Sequence, residues 1–385
     1  MGSPAGAGQA IIPLKINFII MKRIILITLI LLVSYDLISQ VIEEPAGRVS
    51  GLFFIDYFVN AQRDPDSYSL QNQAIGGEQG VHGLRIKRIY FTYDYRFSSR
   101  FSSRFRLESD EANFTTNSSA NNANKFGMFV KDANIKWNFA KGHEVIFGIQ
   151  ATPAYEISEM VWGNRYIEKT IMDLRKIVPS RDMAISLKGR IDKKGRFNYW
   201  LMYGNNNPGN PEKDKYKRFY ALLEVIPLDK FYFTLYTDLQ SKQAFENAFN
   251  PGENLKNNTL TYALFAGYRN KDVFSGGVEI YKGITQNGYQ LVSNYSNLNS
   301  WAVSVFGTWI FNDTWNVFAR YDFYEPNNHH SSSGDRRNLI IAGFTVKPAE
   351  KFLVSPNICI ENFESIVGKQ YKSSITHRIS VSWGF

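Results

Sequence analysis

Apolar and polar residues trade places at every second position along most of the chain, in segments of about ten residues, the signature of half-buried strands. The last segment, "HRISVSWGF", shows the pattern. Ile379, Val381, Trp383 and Phe385 fall on one face of an extended strand, and Arg378, Ser380, Ser382 and Gly384 on the other. Sixteen strands are expected, at 49–59, 84–97, 101–110, 126–139, 143–152, 181–191, 196–204, 217–227, 231–239, 258–269, 273–283, 300–311, 315–324, 337–347, 351–361 and 371–385. About ten tilted residues are what a strand needs to cross a bilayer.

The connections alternate in length. "SSR", "KGH", "DKKG", "PLDK", "RNKD", "NDT" and "PAE" are short and rich in turn-forming residues. Between them come long polar stretches, at 61–80, 111–125, 205–216, 240–257, 284–299 and 325–336. Short turns at one end and long loops at the other are the layout of an outer-membrane barrel, whereas a soluble sandwich has no reason to follow it. The expected fold is therefore an all-β transmembrane antiparallel β-barrel of about sixteen strands. Tyr95, Phe97, Phe101, Trp137, Phe139, Phe231, Trp309, Phe311, Trp315, Trp383 and Phe385 stand beside short turns, where amphipathic rings suit the membrane interface.

The first forty residues carry a different signal. Lys22 and Arg23 precede an apolar run from Ile24 to Val33, followed by small and polar residues. That is the layout of a secretory signal peptide. Residues 1–20 read as an upstream extension, 21–40 as the signal peptide and 41–385 as the barrel domain. One long anchor over 11–33 is the alternative, but Lys15, Lys22 and Arg23 interrupt it.

Composition narrows the function classes. Aromatics make up 15% of residues, dotted along the chain rather than gathered in blocks, which suits a sheet with one lipid face. The formal charge is +9, yet no Lys/Arg stripe is dense enough to follow a phosphate backbone, so a nucleic-acid partner is not expected. With Cys359 as the one cysteine there is no internal disulfide, and His82, His143, His329, His330 and His377 show no zinc spacing. Neither a metal nor a cofactor is expected. Strand parity puts His377 on the lipid face, which leaves no Ser/His/Asp arrangement inside the barrel and no enzyme reading.

The alternation sends charged residues to the lumen. Arg88, Arg96, Arg104, Arg106, Lys136, Lys188, Arg190, Arg218, Arg320, Arg337, Lys347 and Arg378 face Asp94, Glu108, Asp132, Glu224, Asp238, Glu279, Asp322 and Glu361, a modestly basic wall. One connection breaks the polar-loop rule. "PAYEISEMVWGNRYIEKTIMDLRKIVPSRD", 153–182, is apolar and helix-like, and a surface loop would not bury Trp162, Ile167, Ile171, Met172 and Leu174. Folded inward it would narrow the pore, with Arg165, Lys169, Arg175 and Arg181 as basic gate residues beside Glu156, Glu159, Glu168 and Asp173. An external cap is the alternative.

"LRIKRIYFTYDYRFSSRFSSRFRLE", "VKDANIKWNF" and "FGIQATPAYEISEMVWGNRYIEKTIMDLRKIVPSRDMAISLKG" resemble the porin family of phosphate-selective O and P type, particularly its relatives in Bacteroidetes-like bacteria. The similarity covers about 45–385, with its specific motifs in 84–190. The resemblance implies a sixteen-stranded, usually trimeric porin with inward-folded loops and a lumen rich in Arg and Lys. By motif position it marks Arg88, Lys136, Arg165 and Arg181 as pore-lining or loop-anchoring. One departure stands out: Ala151, in "GIQATP", replaces the lysine of phosphate-selective members.

The expected function is passive diffusion of small hydrophilic solutes across a bacterial outer membrane, leaning to anions, with phosphate a candidate. Arg88, Arg104, Arg106, Lys136, Arg165, Lys169, Arg175, Arg181, Lys188 and Arg320 are the expected pore-lining or constriction residues. The expected partners are anionic solutes, the bilayer, lipopolysaccharide and two further copies in a homotrimer. The alternative is a plugged barrel that serves adhesion or anchoring through its long loops.

Overall fold

A computed structural model describes residues 45–65, 77–110, 127–207, 212–329, 335–366 and 368–385. The expected extension and signal peptide, His330 and the whole connection 111–125 lie outside the described residues. The chain forms β1 (Ala46–Gln62), β2 (His82–Arg96), β3 (Phe101–Asp110), β4 (Phe129–Ala140) and β5 (His143–Ala151), then two short helices, α1 (Glu156–Trp162) and α2 (Ile171–Leu174). It continues with β6 (Arg181–Arg190), β7 (Phe197–Gly204), β8 (Arg218–Val225) and β9 (Phe231–Gln240). A small hairpin of β10 (Phe245–Glu246) and β11 (Asn254–Leu255) precedes β12 (Thr259–Asn270), β13 (Phe274–Gln290), β14 (Tyr295–Ile310), β15 (Trp315–Glu325), β16 (Arg337–Ala349), β17 (Phe352–Phe363) and β18 (Ser374–Gly384).

Each of the sixteen long strands pairs antiparallel with its neighbours in one closed barrel, β12 following β9 and the β10–β11 hairpin standing apart. Closure joins β1 to β18, from Leu52 opposite Gly384 to Gln62 opposite Ile375. Every expected strand is present, and apart from the facing ends of β13 and β14 each lies within about three residues of its expected bounds.

The two faces differ as the alternation requires. On β18 Ile379 is exposed outside, as is Phe385 just after it, while Arg378, Ser380 and Ser382 are buried inside. Apolar side chains such as Phe147, Ile185, Leu235, Leu264 and Val305 face outward around the wall, a surface that water would penalise and hydrocarbon accepts. Beside the short turns, aromatic rings pair across strands: Phe53 with Trp383 at 4.7 Å, Phe274 with Trp309 at 4.9 Å, and Phe231 with Tyr268 at 4.8 Å between centroids. Arg96, Arg190 and Lys347 sit exposed at this short-turn rim, where their strands end, rather than deep in the lumen.

One connection differs from expectation. The long loop expected at 284–299 is a continuation of strand, because β13 and β14 stay paired to Gln290 and Tyr295 and turn within four residues. Neighbouring strands stop pairing at Thr285 and Trp301, so the hairpin tip stands beyond the wall. Its flank is covered by the β10–β11 loop, with Phe245 and Phe249 packed on Tyr295 at 5.1 and 5.4 Å. The polar sequence of this stretch hides the strand, since no buried face imposes alternation there.

Candidate pore and its inward-folded loop

The segment between β5 and β6 folds into the barrel. Ser158, Val161 and Trp162 of α1 are buried at helical spacing, and the helix ends at Gly163, which takes the left-handed backbone (φ 68°) and returns its N–H to the Glu159 carbonyl at 3.0 Å. A side chain with a Cβ would be strained there. All four residues of α2 are buried. Trp162 meets Phe306 and Phe318 edge-on at 5.2 and 6.1 Å, and its indole N–H donates to the Glu168 carbonyl at 2.8 Å. Trp162 and Leu174 share a cluster with Phe265, Phe306, Phe318 and Ile341, whereas Ile171, Met172 and Val178 pack with Trp200, Tyr220, Tyr236 and Tyr281. The apolar residues that argued against a surface loop are therefore the ones that seat it.

Polar contacts fix the loop to widely separated strands. Ser158 donates to Glu279 of β13 at 3.2 Å, and Asn164 to Thr308 of β14 at 2.9 Å. The Tyr166 hydroxyl bonds Thr345 of β16 at 2.8 Å and Ser355 of β17 at 2.6 Å. Lys87 of β2 donates to the carbonyls of Tyr166 and Ile167 at 3.0 and 2.6 Å. Arg320 of β15 donates to the Lys169 carbonyl. Arg175 pairs with Glu361 at 2.8 Å, and Glu168 with Arg378 at 3.3 Å. Burial alone would raise the Glu168 carboxyl, but Lys87, Arg378 and Arg320 hold it down to about 2.

The expected pore residues divide into two groups. Arg88, Arg175 and Arg320 are buried in ion pairs with Glu108, Glu361 and Asp322. Arg104, Lys136, Arg181 and Lys188 line one open space, and Arg106 lines a neighbouring one. Arg104 forks onto Asp94 at 2.6 and 3.1 Å, Lys136 reaches Glu144 at 3.1 Å, and Lys188 reaches Glu156 at 3.3 Å. Arg106 and Arg181 share one carboxylate, Asp132, at 3.4 and 2.5 Å. Arg165, on the loop, pairs with Glu159 and with Asp173 at 3.2 Å. Lys169 is half-buried behind its own carbonyl contact.

Strict alternation misses two lysines. Pairing slips by one residue at Lys87, between Phe54–Arg88 and Ile55–Ile86, and again at Lys131, between Arg106–Asp132 and Leu107–Val130. Each slip is a bulge that lets two consecutive residues face inward. Lys87 thus reaches the loop beside buried Arg88, and Lys131 joins Asp132 inside, bonding Glu108 at 2.7 Å and Ser180 at 3.1 Å. The signal was available in "IKRI" and "VKDA", where adjacent charges on a wall with a lipid face require a broken pleat.

Below the loop lies a chamber of about 590 Å³, lined by Arg48, Asp94, Arg104, Arg181, Glu156 and Lys188 among others. It shares Arg48, Glu159 and Arg181 with a neighbouring space of about 540 Å³, and Glu156, Lys188 and Trp200 with one of about 450 Å³. No group of three or more His, Cys, Asp or Glu among the described residues is placed to hold a metal ion.

No family model matches this chain, and no curated protein matches it. Solved structures do. An anion-selective porin from Comamonas acidovorans is 11% identical at a TM-score of 0.60, covering 89% of this chain and 100% of that one. The outer membrane channel DcaP of Acinetobacter baumannii is 8% identical at 0.59, covering 89% and 97%. OmpT of Vibrio cholerae is 14% identical at 0.57, covering 90% and 100%. At such low identity the likeness speaks for architecture, and the chain has that of these outer-membrane proteins: a closed, sixteen-stranded, multi-pass antiparallel β-barrel.

Proposed function

We propose that the protein is a bacterial outer-membrane porin through which small hydrophilic solutes diffuse passively, with a lean toward anions. The observation that carries this reading is the chamber below the loop, where Arg181 shares the single carboxylate of Asp132 with Arg106 of the adjoining space and Arg48 stands outside the ion pairs. An excess of fixed positive charge in a narrow, half-dry space favours anions over cations. The porin architecture of its structural neighbours, one of them described as anion-selective, supports the same class.

Phosphate is a weaker candidate than anions at large, because the chamber wall presents the Ala151 methyl where the resemblance calls for lysine. Residues 1–20 and 21–40 are proposed as an extension and a cleaved signal peptide, and a homotrimer as the assembly. The test is single-channel recording of refolded protein in a planar bilayer under a KCl gradient. Stepwise current with an anion-selective reversal potential is expected; current with a cation-selective sign would overturn the lean.

A second reading has its own observation. Each of the sixteen wall strands carries a lumen-facing side chain at most 4% exposed, from Asp56 and Thr92 on β1 and β2 to Ser355 and Ser380 on β17 and β18. Such burial favours a barrel that the loop closes at rest, with its external loops as the working surface. Folded, inserted protein that passes no current would select this reading.

A further inference from the structure

We propose that the chamber beneath the loop is a binding site for small solutes that carry both an ammonium and carboxylate groups and are net anionic, such as an amino dicarboxylate. This names the solute class of the proposed channel and rests on that reading for its route, though not for its binding. The chamber is not a uniformly basic funnel. Its open surface is built from pairs of opposite sign: Arg104 and Asp94 are 44% and 36% exposed, and Lys188 and Glu156 are 24% and 51% exposed. Exposed pairs of this kind are held loosely, screened by water and salt, so either member can exchange its partner for a solute group.

The arrangement discriminates between kinds of charge. A simple anion that approaches Arg104 or Lys188 also meets Asp94 or Glu156 within the same few ångströms and is repelled by it. A solute with both signs satisfies both members at once. Asp132 is shared between Arg181, which lines the chamber, and Arg106, which lines the adjoining space, and this surplus leaves room for a second negative group. Guanidinium forks match carboxylates in two parallel hydrogen bonds. Glu156, the most exposed of the paired carboxylates and placed in the first turn of α1, is the natural partner for the ammonium.

The test is calorimetric titration of folded, detergent-solubilised protein with L-glutamate and with glutarate, which differs chiefly by lacking the ammonium. Glutamate is expected to bind about fivefold tighter or more, the worth of one additional charge-assisted contact in a half-buried setting. E156Q is expected to bring glutamate down to the affinity of glutarate while glutarate binding persists, which also reports that the variant is folded. Equal binding of the two ligands, or a preference unchanged in E156Q, would overturn the proposal. A missing channel current would instead strike at the porin reading, since titration needs no transport.

Discussion

Glu168 and Arg378, 210 residues apart in the chain, meet at 3.3 Å and tie the inward loop to the strand that closes the barrel. Arg378 also donates to Asn357 of β17 at 2.8 Å, a contact within the wall that does not involve the loop. Removing Arg378 leaves Glu168 with Lys87 and Arg320, so the cost is that of one charge-assisted contact, about 1–3 kcal/mol. Arg378→Ala is expected to lower the unfolding free energy by an amount of that order, read as a fall in the urea midpoint, and to increase the frequency of current fluctuations. An unaltered midpoint would mean the loop is seated by its apolar side alone.

The same carboxylate sets a pH dependence. Glu168 titrates near 2 in the fold against an ordinary 4.5, so the unfolded chain takes up the proton first as acid is added. Its contribution to stability is complete above about pH 4.5 and is lost as the pH falls toward about 2. The unfolding midpoint of the native protein should slope through that window. Glu168→Gln, which cannot ionise, should give a flatter curve there; two parallel curves would show that other acids dominate.

Two arginines marked by the same sequence motifs should behave differently. Arg181 belongs to the surplus over Asp132, and Arg181→Gln leaves Arg106 and Asp132 balanced. The reversal potential of a channel so altered is expected to move toward cations, with little change in folding. Arg88 is buried against Glu108 and the Tyr90 hydroxyl. Arg88→Gln leaves Glu108 with Lys131 alone and should cost about 1–3 kcal/mol with ion preference unchanged. The reverse outcome would move the selective region to the loop's buried edge.

Trp162 is 1% exposed and wedges the loop against Phe306 and Phe318. Trp162→Ala is expected to cost about 3–5 kcal/mol through the cavity it leaves. If the loop closes the barrel at rest, the same change should raise the resting current through a planar bilayer. A loss of stability with no added current would make Trp162 packing only.

The wall was legible from the sequence because period-two alternation is what a two-faced sheet imposes, and the loop betrayed its inward position by carrying Trp162, Ile167 and Met172 where neighbouring connections carry Asn and Ser. What was not legible has physical reasons. The bulges at Lys87 and Lys131 change which residues face inward without changing composition. The extension of β13 and β14 has no buried face to pattern it. Pairing decides the rest: Arg88 and Arg320 read as pore charges from parity and Arg175 as a gate charge from its place on the inward segment, and only the positions of Glu108, Asp322 and Glu361 turn them into buried braces.

The seam between β1 and β18 constrains how such a molecule can be made. These two strands are the most distant in sequence, yet each supplies the other's only partner along one edge, from Leu52–Gly384 to Gln62–Ile375. Until β18 arrives, the sheet has two bare margins whose amides and carbonyls hydrocarbon will not tolerate. Unassisted insertion one strand at a time is therefore disfavoured. Assembly must either delay entry until the sheet is nearly whole, or borrow a temporary strand-like chaperone that shields both margins and departs as they meet.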